Sequence, residues 1–252
     1  MPRQQTLEQA QAYWAERLGC AIEDVRRPGV TPLPNGGELA TYRGAFLLRW
    51  DDACVFTTPV SLFPMVETAI RNRTLGDIFD GEFLASLFAP HVGRIVGPAF
   101  QACADASDFR PVDTRGTRLL TANDIEALRR LTSACAPDEW ADITIESNRL
   151  PVFGCFACDE LASAGTLIAW GQCLRNIGIV THPTYRGLSY GRAVVSEMTA
   201  YTLGRGNVAQ YQTLLGNASS VALAHALGYQ QYATTFAVRL RDLPEEQSGE
   251  CA

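Results

Sequence analysis

The chain is predicted to be an α/β protein, and three features carry that reading. An apolar run, Ile177 to Val180, leads through an arginine- and glycine-bearing stretch into a helical pattern that sets Val194, Val195, Met198 and Leu203 roughly on one side. A second apolar run, Val208 to Leu214, is followed by Gly216-Asn217-Ala218-Ser219-Ser220 and a short helical run from Val221 to Leu227. The composition, 47% apolar and 19% charged over 252 residues, is that of an ordinary globular protein with ample chain for a packed core.

Leu7 to Leu18 reads as an opening amphipathic helix carrying Ala10, Tyr13, Trp14 and Leu18. Arg27-Pro28-Gly29 to Asn35-Gly36-Gly37 reads as loop, since glycine and proline punctuate regular structure. Strands are expected at Thr41 to Trp50 and Ala53 to Thr58. Pro59 then opens a helix to about Arg73, proline being at home in a first turn. Phe83 to Phe88 is expected helical and Gly93 to Gly97 a short strand. Residues 105–117, rich in Asp, Ser, Pro and Gly, mark the boundary between an N-terminal α/β domain (1–110) and a second domain (111–243). In the second domain Arg118 to Thr121 reads as strand, Asn123 to Ala134 as helix, and Pro137 to Glu146 as helix or loop. Val152 to Ala157, Leu161 to Trp170, Leu174 to Thr181 and Thr234 to Leu240 read as strands, and 244–252 as a polar tail.

The turn between Thr181 and Arg192 holds the most chemistry. Gly187 and Gly191 let the backbone come close to a ligand. The first N–H groups of the following helix have no acceptor within it, and the helix dipole favours an anion there. That is the outline of a phosphate or pyrophosphate cradle, although a strand–glycine–helix turn is also common punctuation. Neither the G-x-G-x-x-G fingerprint nor a G-K-[ST] loop is present, and the chain has no lysine: all 21 of its basic residues are arginine.

The downstream order sharpens this. Strand, Arg186-x-x-x-x-Gly191 turn, long helix, strand, Asn217-x-x-Ser220, short helix, Gly228-Tyr229 and last strand together resemble the GNAT superfamily of N-acetyltransferases over about residues 112–240. Arg186-Gly187-Leu188-Ser189-Tyr190-Gly191 matches that family's [Q/R]-x-x-G-x-[G/A] motif at its first and last positions and departs from it at Ser189. The resemblance implies a mixed, mostly antiparallel central sheet flanked by helices. It also implies acetyl-CoA as acyl donor, with no metal. The diphosphate would lie over Gly187, Leu188, Ser189, Tyr190, Gly191 and Arg192, behind Arg186. The pantetheine arm would run like an added strand along Ile179, Val180 and Thr181, and one backbone N–H there would polarise the thioester carbonyl. Asn217 would contact the arm; on its own it reads as a cap for the helix after it.

The reaction so implied is direct attack of a primary amine, that of a small molecule, on the thioester. A non-catalytic CoA-binding module and a protein N-terminal acetyltransferase are the alternatives. Relatives often carry a tyrosine acid seven residues after the asparagine; here that position is Ala224, followed by His225. The acid is left open between water, Tyr190 and no residue at all. Asp142, Glu146 and Glu160 are candidate bases acting through water. Glu146 is preferred because the segment before the second strand lines the acceptor site in relatives. Trp140 reads equally as a wall of that pocket or as core, and His91 and His182 read as structural.

A net charge of −6 argues against a broad nucleic-acid surface. No uninterrupted run of about 18 apolar residues exists to form a membrane span. Met1-Pro2-Arg3-Gln4-Gln5 lacks the apolar core of a secretory signal, so a cytoplasmic location is expected. The eight cysteines are scattered and read mostly as core fillers, with Cys251 in the polar tail expected exposed. Cys155 and Cys158 have C-x-x-C spacing but lie in an expected strand, where they would face opposite ways. The first 110 residues are assigned to covering the acceptor site, to forming a homodimer, or to binding a separate partner.

Overall fold

A computed structural model describes residues 4–114, 116–140 and 151–241. In chain order its elements are α1 (Gln4–Leu18), α2 (Ile22–Arg26), β1 (Gly29–Pro34), β2 (Gly44–Trp50), β3 (Ala53–Thr58), α3 (Phe63–Ile70), α4 (Leu75–Ile78), α5 (Gly81–Phe88) and β4 (Val92–Ala104). Then follow β5 (Thr117–Leu119), α6 (Ile125–Ala134), α7 (Pro137–Trp140), β6 (Val152–Ala157), β7 (Glu160–Trp170), β8 (Leu174–Thr181), α8 (Tyr190–Leu203), β9 (Val208–Leu214), α9 (Ala218–Ala226) and β10 (Gln230–Leu240). The architecture is mixed α/β with mostly antiparallel strand pairing. No helix among the described residues is long and apolar enough to cross a membrane.

The chain forms two compact units, and both are discontinuous in sequence. One comprises Met1–Gln9, Ala102–Gln212 and Ala218–Gln231; the other comprises Ala10–Gln101, Thr213–Asn217 and Tyr232–Ala252. This division differs from the contiguous segments 1–110 and 111–243 because the last strand goes back to the N-terminal residues. β10 pairs antiparallel with β2 from Thr234↔Arg49 to Arg239↔Gly44.

In the unit built from the N-terminal residues and β10, the strand order is β1-β3-β2-β10-β4. Leu47, Phe56, Leu84, Phe88, Phe236 and Val238 are buried together in its core. Each such side chain contributes about 1.5–3 kcal/mol through removal from water. The stretch read as loop in sequence is the edge strand β1, parallel to β3. The N–H groups of Gly29 and Asn35 donate to the carbonyls of Asp52 and Thr58, so odd-numbered donors face β3 and even-numbered positions face outward. Pro32 and Pro34 occupy outward positions, where proline costs no ladder bond and leaves no donor for a further strand. β4 is longer than the expected 93–97 strand. Its residues 99–104 are buried on both faces and so show no polar–apolar alternation.

In the other unit the order is β9-β8-β7-β6-β5, antiparallel except for β8 with β9. Helix α8 lies against β6, β7 and β8, and its buried positions go nearly all the way round it. A Cβ at Gly165 of β7 would come within 2.5 Å of Met198 Cε and 2.7 Å of the Gly178 carbonyl, so only glycine lets α8 and β8 approach there. Cys155 is buried in β6, whereas Cys158 is exposed in the β6–β7 turn at φ 54°, not in a strand as expected.

Candidate active site

The site begins where two strands part. β8 and β9 run parallel in register from Leu174↔Val208 to Ile177↔Tyr211, and the pairing goes no further, although β8 continues to Thr181. β7 stays in register with β8 over that whole length, to Ser163↔Thr181. Two bonds fix which way the β8 backbone faces. Val208 N–H donates to the Cys173 carbonyl on the β9 side, and His182 N–H donates to the Ala162 carbonyl on the β7 side. Alternation along a strand then turns the N–H and C=O of Ile179 and Thr181 toward the side β9 has left, and those of Gly178 and Val180 toward β7. Ser163 holds this end of β8: its hydroxyl donates to the Val180 carbonyl at 2.8 Å and lies 3.0 Å from Thr181 Oγ1.

The chain then turns into α8. Pro183–Tyr185 form one 3-10 turn, whose first amide, that of Thr184, donates to His182 Nδ1 at 3.3 Å. Gly187 and Ser189 both adopt the left-handed conformation, at φ 76° and 70°. Ser189 is the position where the motif carries glycine, and the serine holds the glycine-type backbone at a cost of about 1–2 kcal/mol. The first α-helical bond runs from Ala193 N–H to the Ser189 carbonyl, so the amides of Ser189, Tyr190, Gly191 and Arg192 precede the helix ladder. Leu188 differs: its side chain is exposed and its N–H already donates to the Tyr185 carbonyl at 3.3 Å. No acidic residue stands in the first turn of α8. A Cβ on Gly191 would lie 2.8 Å from Thr181 Oγ1, so this glycine sets how closely the helix start meets the end of β8.

The two arginines act differently. Arg186 is already engaged: Nε donates to the Thr181 carbonyl at 3.1 Å, and Nη2 pairs with Glu139 at 2.6 Å. Glu139 in turn accepts from the Ala136 N–H at the start of α7. Arg192 bonds only the Ser189 hydroxyl, at 3.2 Å, and has no carboxylate partner among the described residues. Sequence reasoning did not single out Glu139 or Ser163, because both act through partners distant along the chain.

Among the candidate acids and bases, Glu160 accepts from the Tyr185 hydroxyl, and that bond raises the Tyr185 pKa. Tyr190 packs edge-on against Tyr185 at 5.4 Å between ring centroids. Ala224 is fully buried. The nearby phenols are occupied: Tyr211 with Ser220 at 2.9 Å, and Tyr229 with Thr199 at 2.6 Å. Burial pushes the Tyr229 hydroxyl well above its ordinary pKa. His225 Nδ1 lies 3.3 Å from the Tyr229 carbonyl. Asn217 stands immediately before α9, its N–H donating to the Leu214 carbonyl. Asp142, Glu146 and the side chain of Trp140 lie outside the described residues. No group of three or more His, Cys, Asp or Glu among the described residues could hold a metal ion.

No protein-family model and no curated protein matches the sequence. Solved structures do. A putative GNAT-family acetyltransferase from Novosphingobium aromaticivorans superposes with a TM-score of 0.51 at 24% identity, covering 61% of this chain and 67% of that one. A GNAT-family acetyltransferase from Colwellia psychrerythraea superposes with a TM-score of 0.50 at 11% identity, covering 96% of this chain and 98% of that one. The fold is that of the GNAT superfamily. The Colwellia match takes in nearly the whole chain, so most of the N-terminal 110 residues fall inside the aligned GNAT structure. Within this GNAT fold the strand-to-strand gap, the glycine-bearing turn and the start of α8 are contiguous in sequence from Ile177 to Arg192.

Proposed function

We propose that the protein is an N-acetyltransferase that moves an acetyl group from acetyl-CoA to the primary amine of a small molecule. The observation that carries the reading is the open edge of β8 beyond Ile177, leading directly into the amide-rich start of α8. An edge strand with outward N–H groups suits a pantetheine arm, whose amides pair as a β-strand's do. The amides of Ser189 to Arg192, with Arg192 beside them, suit a diphosphate. The residues therefore fit the donor, and the GNAT fold neighbours support acetyl transfer in general.

In this reading the Ile179 N–H is the donor to the thioester carbonyl oxygen, which becomes an oxyanion as the amine adds. A preorganised donor of this kind is worth about 3–4 kcal/mol. The neutral amine forms the new C–N bond, the C–S bond breaks, and the electron pair leaves on sulfur. Proton removal from the amine is assigned to Glu146 through water. Protonation of the thiolate is left to solvent, since position 224 offers no hydroxyl.

The buried Ala224 favours one second reading, a CoA-binding module without turnover. Calorimetry with CoA, followed by thiol release from acetyl-CoA against a panel of small amines and an N-terminal peptide, separates the readings. Transfer to a small amine supports the proposal. CoA binding without transfer favours the module, transfer to the peptide alone favours a protein substrate, and no affinity for CoA overturns all three.

A further inference from the structure

The unit built on β2, β4 and β10 contains a cavity of about 580 Å³ that the transferase reading does not use. Its volume is in the range of small-molecule sites. Alternation on the sheet supplies its floor. Arg49 of β2 and Thr234 of β10 are direct cross-strand partners, and Phe236, two residues on, shares their face. The linker between α4 and α5, Phe79 and Asp80, supplies one wall together with Gly81 at the start of α5, and Leu215 supplies another. Phe79 and Phe236 pack with ring centroids 4.8 Å apart. A Cβ on Gly97 would come within 2.6 Å of the Phe236 ring, so glycine at that position of β4 leaves room for the ring.

Two opposite charges line this one cavity without pairing with each other. The Arg49 guanidinium lies 5.9 Å from the Phe79 ring centroid, and only its Nε has a hydrogen-bond acceptor, the Asp51 carbonyl at 3.3 Å. Its two terminal nitrogens are unpaired among the described residues. Asp80 uses one oxygen, Oδ1, to cap α5 through the amides of Glu82 and Phe83, at 3.0 and 2.8 Å. Its Oδ2 has no partner among the described residues. An exposed arginine on a strand is ordinarily a solvated charge. Here its fork stands over the Phe79 ring of the cavity wall, and a half-used carboxylate, Asp80, lines the same cavity.

We infer that this cavity binds a small zwitterion with an apolar, preferably aromatic, body. The ligand's carboxylate takes the terminal nitrogens of Arg49 in a two-point contact, its ammonium takes Asp80 Oδ2, and its body lies on Phe79 and Phe236. The two protein charges balance each other, so a singly charged ligand satisfies one and leaves the other without a counter-ion. The inference does not rest on acetyl transfer.

The test is calorimetry with L-phenylalanine on the full chain without acetyl-CoA, beside phenylacetate and phenethylamine. Two variants keep the fold: Arg49→Gln changes an exposed side chain, and Asp80→Asn keeps a residue that caps a helix as well as aspartate does. Saturable one-to-one binding of phenylalanine is expected. Each variant is expected to weaken it about tenfold or more, the scale of a charged hydrogen bond. Phenylacetate should respond to Arg49→Gln and not to Asp80→Asn, with phenethylamine the reverse. Failure to saturate, equal affinity for all three compounds, or binding indifferent to both substitutions overturns the inference.

Discussion

Replacing Ile179 with proline removes a single atom's worth of chemistry from the proposed site. The hydrogen-bond alternation along β8 turns the Ile179 N–H away from β7 and toward the gap left by β9. Proline there deletes that donor and directs its ring into the gap, while Gly178 and Val180 keep the ladder to β7. Gly178, the preceding residue, is already extended, as a residue before proline must be. The fold is expected to survive with a melting temperature lowered by a few degrees, the shift that ~1 kcal/mol produces in a chain of this size. Loss of one oxyanion donor should lower kcat by roughly 10²–10³. The ring also enters the gap proposed for the pantetheine arm, so the KM for acetyl-CoA should rise as kcat falls. Val180→Pro is the contrasting variant: its N–H belongs to the β7 ladder, and it should fail to fold stably. Thiol-release kinetics beside a thermal melt reads both. A folded Ile179→Pro variant retaining more than about a tenth of kcat would refute the assignment of this amide.

Ser189→Gly should stabilise the protein by up to about 1 kcal/mol, the left-handed strain released less the entropy glycine adds to the unfolded chain; a lower urea midpoint at unchanged m would contradict this. Gly191→Ala should destabilise by about 1–3 kcal/mol because its Cβ meets Thr181 Oγ1, and adding Thr181→Ala should restore part of the loss, as a double-mutant cycle would show. The Arg118 guanidinium, together with the Thr121 N–H, holds the Asp124 carboxyl well below the usual carboxylate range. Its stabilisation is therefore complete above the unfolded value of ~3.9 and is lost as pH falls below it. Asp124→Asn should lower the unfolding free energy on the order of 1–2 kcal/mol at pH 7, and the gap from the parent should narrow in urea titrations at pH 3.

The parts of this protein legible in its sequence are those whose structure is local. β3, β6, β8 and β9 were readable from compact apolar runs ending at Gly, Asp or Pro, and α8 from its spacing of Val194, Val195 and Met198. β1 was not, because Pro32 and Pro34 signal a loop until one knows that their nitrogens face an open edge. The second half of β4 was not, because a segment buried on both faces has no period to read. The return of β10 to β2 joins residues nearly 200 apart, and no local pattern records such a pairing. The site divides in the same way. The arginine–glycine turn and its amides could be read from composition and spacing. The parting of β8 from β9, the capture of Arg186 by Glu139 and the grip of Ser163 on Val180 depend on partners that only the folded chain brings close.

Position 224 decides how the proposed reaction ends. A tyrosine there would protonate the departing thiolate; the chain has a buried alanine, and the phenols of Tyr211 and Tyr229 are committed to Ser220 and Thr199. A thiol with a pKa of ~8.5 is already a fair leaving group as its anion, so solvent can supply the proton after the C–S bond breaks. An enzyme working this way needs the amine deprotonated and needs no residue kept protonated. Its pH–rate curve should therefore rise with amine ionisation to a plateau, without the descending limb that a general acid imposes. The measurement is kcat/KM for the best amine between pH 6 and 10.5, on the parent and on Tyr190→Phe, the one phenol beside the α8 amides that the sequence also nominated. Matching plateaus in both proteins support release to solvent. A descending limb that vanishes in Tyr190→Phe would make Tyr190 the acid in place of a hydroxyl at 224.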